Sequence, residues 1–277
     1  MHHGKNLLAV LTIVQNEPVM LPVWLRHYAQ QGVAPRDTYI LDHESVGDGA
    51  AVLDSYARLG GDYNLVPVRH ELGFDHRWLA DTLGAFQKFL LQSYRYVLVV
   101  EVDECVAPDP RLTPHNLAQF VETLPHQPTV VRTHGWEIVH RLDEEPDAEF
   151  TLPLLQQRRY WYNTKQYSKA ILASYPLYWR DGLHTAVNVP RGQEPDRRLL
   201  LLHLHKVDYN YAFDRHRANA AQRWSPRDRL EGVGVGRQNL IIDPEMLKLW
   251  FASHADDTRQ RSQLALIPRE IKDKIPL

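Results

Sequence analysis

The sequence predicts an α/β protein whose mostly parallel sheet is wrapped by helices. Three observations lead there. Short apolar, β-branched runs alternate with segments whose apolar residues recur at helical spacing. The joints between them are short, which favours right-handed crossovers and parallel neighbours. The run Tyr96 to Val100 is apolar without interruption, as expected of a central strand covered on both faces.

Leu7 to Val14 is the first expected strand. Pro18 then opens a helix in which Leu21, Trp24, Leu25 and Tyr28 share a face until Gly32 stops it. Thr38 to Leu41 is the second strand, and Asp48 to Leu59 the second helix, closed by Gly60 and Gly61. Tyr63 to Val68 reads as the third strand, Leu79 to Tyr94 as an amphipathic helix, and Tyr96 to Val100 as the fourth strand. After Asp109 the alternation breaks. A helix is expected over Leu112 to Leu124, strands over Thr129 to Thr133 and Gly135 to His140, and an exposed acidic loop over Asp143 to Asp147. Gln157 to Ala173 reads as a loop leading to a strand near Tyr167 to Leu172. Leu199 to Leu204 is a further strand and Asp208 to Arg223 a helix, with helical and irregular chain beyond.

The 277 residues, 44% hydrophobic and 24% charged, suffice for one large domain with a sizeable core. A formal net charge of -2 supplies no global positive field, so nucleic acid is not an expected partner. Cys105 is the only cysteine, which excludes an intramolecular disulfide and a cysteine-based zinc site. Leu7 to Val14 is too short to span a bilayer. The expectation is a cytoplasmic protein without a transmembrane segment, which leaves room for peripheral membrane contact.

Ligands of parallel α/β sheets gather at the carboxyl ends of the strands. Three polar clusters fall there: Gln15-Asn16-Glu17, Asp42 to Ser45, and Glu101-Val102-Asp103-Glu104. In the first, amide and carboxylate groups stand beside a helix start; in the second, Asp42 can accept from a base or ribose hydroxyl. Asn16 has a plainer reading as a turn former. Period-two geometry would put Glu101 and Asp103 on one strand face and Glu104 on the other. Crowded carboxylates raise one another's pKa values unless a positive charge intervenes, and Mg²⁺ or Mn²⁺ would supply it. The plainer reading is that all three acids are solvated. Arg77, Lys88, Lys165, Lys169 and Lys206 are candidates to offset a bound anion.

The segment from Val14-Gln15-Asn16-Glu17-Pro18 to Trp24-Leu25-Arg26-His27-Tyr28 resembles the opening pattern of bacterial glycosyltransferase family 2-like enzymes, a group similar to family 92. Asp42 to Gly49 is similar to their "DN.S.DGT" segment, and Glu101-Val102-Asp103-Glu104 to their "DxDEF" segment. The likeness spans roughly residues 7 to 215, with order and spacing kept. It implies a GT-A fold: a mostly parallel sheet flanked by helices, with a mixed acceptor-side region following. Residues 1–110 would form the nucleotide-sugar half, 111–225 the acceptor half, and 226–277 a C-terminal extension.

The resemblance also implies chemistry. The donor would be a nucleotide-diphosphate sugar, the acceptor a saccharide or other hydroxyl, the cofactor Mn²⁺ or Mg²⁺, and the setting glycan or surface-polysaccharide synthesis. Glu101 stands where the family has aspartate, which leaves its division of labour with Asp103 open; family usage makes Asp103 the metal ligand. Gly182-Leu183-His184 and His203-Leu204-His205 are similar to the family's "G.H" and "HxH" segments. They imply His203 or His205 as further metal ligands, and Asp181 or His184 as the base for an inverting displacement. Lys169 lies in a stretch resembling the family's lysine segment. Gln15, Asn16, Glu17, Asp42, Glu101 and Lys169 then form the expected donor-binding set. A rival is a metallo-hydrolase in which His184, His203, His205 and Asp103 hold metal ions. Another is a silent sugar-binding protein.

Overall fold

A computed structural model describes residues 5–58, 62–180, 182–232, 240–253 and 263–277. Its first part alternates strictly: β1 (Asn6–Val14), α1 (Met20–Gln30), β2 (Thr38–His43), α2 (Gly47–Arg58), β3 (Asn64–Val68), α3 (His76–Leu90) and β4 (Tyr94–Val99). There follow β5 (Glu104–Pro108), α4 (Leu117–Glu122), β6 (Val130–Arg132), β7 (His134–Val139), α5 (Leu154–Gln157), β8 (Tyr160–Asn163) and β9 (Ala170–Ala173). The chain continues through β10 (Leu199–His203), α6 (Tyr209–Ala221), α7 (Pro226–Glu231), α8 (Pro244–Ala252), β11 (Ala265–Leu266) and α9 (Arg269–Lys274).

Among the described residues these strands build two sheets. The first has the order β3-β2-β1-β4-β9-β6, with β3, β2, β1 and β4 parallel and β9 and β6 added antiparallel. The second is mixed, in the order β11-β8-β7-β10-β5. Helices flank the sheets, so the expected α/β class holds. In β1, Leu8 and Val10 join α1's Trp24 and Tyr28 on one side, while Ala9 and Leu11 meet α3's Leu83 and Leu90 on the other. β4 divides the same way, with Tyr96 and Leu98 against Val97 and Val99. Both central strands are therefore covered twice, and each buried Leu or Val contributes about 1.5–3 kcal/mol relative to exposure. No helix among the described residues is long and apolar enough to cross a membrane.

Several expectations need correction. α3 starts at His76, three residues before Leu79, because the Asp75 carboxylate caps it by accepting from Trp78 N at 2.8 Å. It ends at Leu90, and Tyr94 opens β4 instead, its hydroxyl donating to Asp37 at 2.9 Å. The helix expected from Leu112 begins only at Leu117, where Asn116 and Gln119 form a reciprocal capping box. β8 and β11 occupy stretches expected to be irregular. Glu145, placed in an exposed acidic loop, is buried; its two oxygens accept from Arg141 N and Arg159 N at 2.9 and 2.6 Å.

The most consequential correction concerns the acids. β4 stops at Val99, Glu101 to Asp103 form a turn closed by Glu104 N donating to Glu101 O at 3.0 Å, and Glu104 is the first residue of β5. The acidic segment is thus the crossing from the first sheet to the second. Alternation along one strand does not apply to it.

Candidate active site

A cleft opens at the carboxyl ends of β1 and β4, and its wall includes Gln15, Glu17, Glu101, Asp103, His184, His203 and His205. All seven were expected site residues, gathered from four distant stretches of chain. His203 ends β10, where it pairs across the second sheet with Glu104 of β5 on one side and Glu137 of β7 on the other. His205 lies just past β10, so the two histidines are not successive same-face residues of one strand.

Asp103, His203 and His205 bring one potential ligand atom each within 4.8 Å of one another. Hydrogen bonds set which nitrogen each histidine presents. His203 Nδ1 donates to Glu137 Oε2 at 2.6 Å, which turns Nε2 toward Asp103 Oδ2, 3.5 Å away. His216 Nδ1 donates to Ile241 O at 3.1 Å, leaving its Nε2 to accept from His205 Nε2 at 2.8 Å. The lone pair of His205 is then on Nδ1. Tyr167 stacks on His203 at 3.6 Å, and its backbone sits so close to Gly135 that a Cβ there would lie 2.3 Å from Tyr167 C. Only glycine at 135 permits that approach.

Two basic groups offset part of the negative charge in and behind the cleft. Lys169, buried behind the wall, places Nζ 2.7 Å from Glu101 and 2.5 Å from Glu104. Burial alone would lower its pKa, but Glu101 and Glu104 outweigh burial and hold it above the ordinary lysine value. Arg215 of α6 donates to Asp103 Oδ2 at 2.6 Å through Nη1 and lies 3.2 Å from Glu17 Oε1 through Nε. Burial works to raise Asp103, yet Arg215, His203 and His205 together draw its pKa below the usual carboxylate range. His203 is opposite: burial would lower it, but Glu137 and Asp103 raise it. Burial, then His216 and Arg215, push His205 far down. The repulsion among the three acids, for which a bound Mg²⁺ or Mn²⁺ was the expected relief, is already offset in part by Lys169, whose single ammonium contacts both Glu101 and Glu104.

The remaining expected residues divide. Asn16 adopts φ +55°, donates from its backbone to Ser45 Oγ at 2.9 Å and accepts from Val46 N on Oδ1 at 2.7 Å. It lines an adjoining hollow with Glu17 and Arg215 rather than the main cleft. Asp42 lines neither; its Oδ1 accepts from Ser45 N at 3.0 Å. His184 sits in the cleft after two positive-φ residues, Gly182 and Leu183, with Nδ1 3.4 Å from Gln166 O. Burial and then Lys169 push its pKa down to about 3. Asp181 lies outside the described residues.

Sequence reasoning missed Arg215, Glu137, His216 and Tyr167. Glu137 carried a signal, an acid in the middle of an apolar strand, where a buried carboxylate needs a partner. A second group with metal-ligand geometry, His140, Asp147 and Asp208, is consumed internally: His140 Nδ1 accepts from Tyr209 N, and Asp208 binds Ala148 N and Arg158.

No family model matches this chain, and no curated protein matches it. Among solved structures it is similar to the mannosyltransferase PcManGT from Pyrobaculum calidifontis in complex with GDP-Man and Mn²⁺, at 11% identity and a TM-score of 0.38, over 90% of this chain and 70% of that one. It is also similar to S. aureus TarS 1-349, at 12% identity and 0.36, over 88% and 77%. For the galactosyltransferase LgtC with donor and acceptor sugar analogues the values are 13% and 0.26, over 81% and 70%.

Proposed function

We propose that this protein is a metal-dependent glycosyltransferase of GT-A type that transfers a sugar from a nucleotide-diphosphate sugar to an acceptor hydroxyl, in glycan or surface-polysaccharide synthesis. The observation that carries the reading is the convergence of Asp103, His203 and His205 in a cleft at the strand ends. One carboxylate and two imidazoles suit Mn²⁺, with Mg²⁺ the harder alternative. The hydrogen bond to Glu137 leaves the His203 lone pair on Nε2, toward Asp103, and the one to His216 leaves that of His205 on Nδ1. When bound, the ion offsets the charge that develops on the departing diphosphate.

The other side chains have matching tasks. Gln15 and Glu17 hold the nucleoside side of the cleft, with Asn16 reaching in from the adjoining hollow, while Asp42, which lines neither space, takes no part in this reading. Glu101, fixed by Lys169, accepts from a sugar or ribose hydroxyl. His184, with Nδ1 turned to Gln166 O, presents Nε2 to take the acceptor proton in an inverting displacement, and Asp181 is the alternative base. An incoming diphosphate raises the basicity of His184 by adding negative charge nearby. A two-metal hydrolase fits less well, because His184 stays outside the ligand group.

The test is a thermal-shift screen of nucleotide sugars with and without Mn²⁺. At a ligand concentration of 100 Kd the stabilisation is about 2.7 kcal/mol. One nucleotide diphosphate should stabilise the protein only when metal is present, and Asp103→Asn should abolish that response in a chain that still folds. A metal-linked response that survives Asp103→Asn refutes the assignment. Donor binding without turnover over a panel of acceptors would instead support a silent binding protein.

A further inference from the structure

Arg215 occupies the position a metal ion would contest. Its Nη1 lies 2.6 Å from Asp103 Oδ2, the same oxygen that stands 3.5 Å from His203 Nε2. A single carboxylate oxygen therefore faces both the guanidinium and the imidazole. The guanidinium is anchored at a second point, with Nε 3.2 Å from Glu17 Oε1, and Glu17 also accepts from Tyr211 OH at 3.3 Å. Nη2 has no protein partner among the described residues. The side chain is one-fifth exposed and borders both the main cleft and the hollow beside Asn16, so it has open space on the ligand side. A planar fork with an unused N–H edge is well shaped to grip phosphate oxygens.

We infer that Arg215 is an internal counter-cation: it holds Asp103 and Glu17 together in the metal-free protein, yields Asp103 to a divalent ion, and then grips the phosphates of the bound nucleotide. The inference rests on the metal reading above. Loading of the metal is thereby coupled to arming of the phosphate ligand. Proximity of like charges weakens metal binding while the guanidinium stays in place.

The probe is Mn²⁺ alone, titrated by electron paramagnetic resonance into the unmutated protein, Arg215→Gln and Asp103→Asn. Arg215→Gln should bind Mn²⁺ about tenfold more tightly, because a competing cation is gone, and Asp103→Asn should lose the site. With Mn²⁺ saturating, inorganic pyrophosphate should bind Arg215→Gln about tenfold more weakly. Unchanged or weaker Mn²⁺ binding by Arg215→Gln, with loss in Asp103→Asn, overturns this inference and leaves the metal reading standing. Failure of all three proteins to bind Mn²⁺ overturns both. Should Arg215→Gln not fold, the unmutated protein decides: the Arg215 Nε–H resonance should shift on titration with Mg²⁺, and an unmoved resonance at saturation refutes displacement.

Discussion

Glu101 and Glu104 on one side, and Asp103 on the other, are neighbours in sequence with opposite fates. Glu104 is buried in the second sheet, Glu101 rims the cleft, and a single buried ammonium, Lys169, serves both. That unit is tied together within the protein: one ammonium contacts both carboxylates, and its backbone bonds form the turn itself. Asp103 stands between two imidazoles with directed lone pairs and one arginine, in a cleft open to a ligand. A cluster of acids is therefore not by itself a metal site. What matters is which acids the fold has already neutralised.

Lys169 is the side chain on which Glu101 and Glu104 depend most. Lys169→Met leaves Glu104 and Glu101 without their counter-charge, and removing one partner of a buried pair costs about 3–5 kcal/mol. Urea denaturation should show that loss, whereas a change below 1 kcal/mol would mean that the lysine is dispensable and the acids answer to something else.

Histidines can be sorted by the same criterion, and His27 is the structural reference. It is buried, its Nε2 donates to Val106 O at 2.9 Å, and burial pushes its pKa down to about 4. The folded value lies below the unfolded value, so the unfolded chain takes up the proton first as pH falls. Stability from this group is complete above about pH 6.5 and is lost toward pH 4, by roughly 3 kcal/mol. His27→Gln should flatten the stability profile between those limits. An unchanged slope would place the acid sensitivity with the cleft histidines instead.

On the side of Asp103, the orientation of His203 depends on Glu137. Glu137→Gln keeps the shape of β7 but weakens the hold on His203 Nδ1, and such partners typically govern metal affinity by 10- to 100-fold. Isothermal titration should find Mn²⁺ binding about tenfold weaker, at the low end of that range, because glutamine still accepts a hydrogen bond. Unaltered affinity would show that Glu137 only supports the sheet.

Much of this was legible in the residues. The β1 to β4 alternation, the double burial of the central strands and the gathering of polar groups at their carboxyl ends follow from apolar periodicity, a local property. Seven of the expected site residues do line one cleft. The failures are equally local in origin. The Val-Val-Glu-Val-Asp-Glu stretch keeps a strand-like composition through the turn, so nothing in it announces that Glu104 belongs to a different sheet. The tyrosine at 94 continues a helical pattern yet serves a strand.

By itself, then, the chain determined its class, the order of its elements from β1 to β4 and the identities of the acids and imidazoles available for chemistry. Pairing was decided only by tertiary structure. Lys169 reaches Glu101 across 68 positions, Arg215 reaches Asp103 across 112, and Glu137 reaches His203 across 66. Whether a carboxylate is spent on a lysine or left facing a ligand depends on which side chains the two sheets bring within a few ångströms, and sequence spacing carries no measure of that distance.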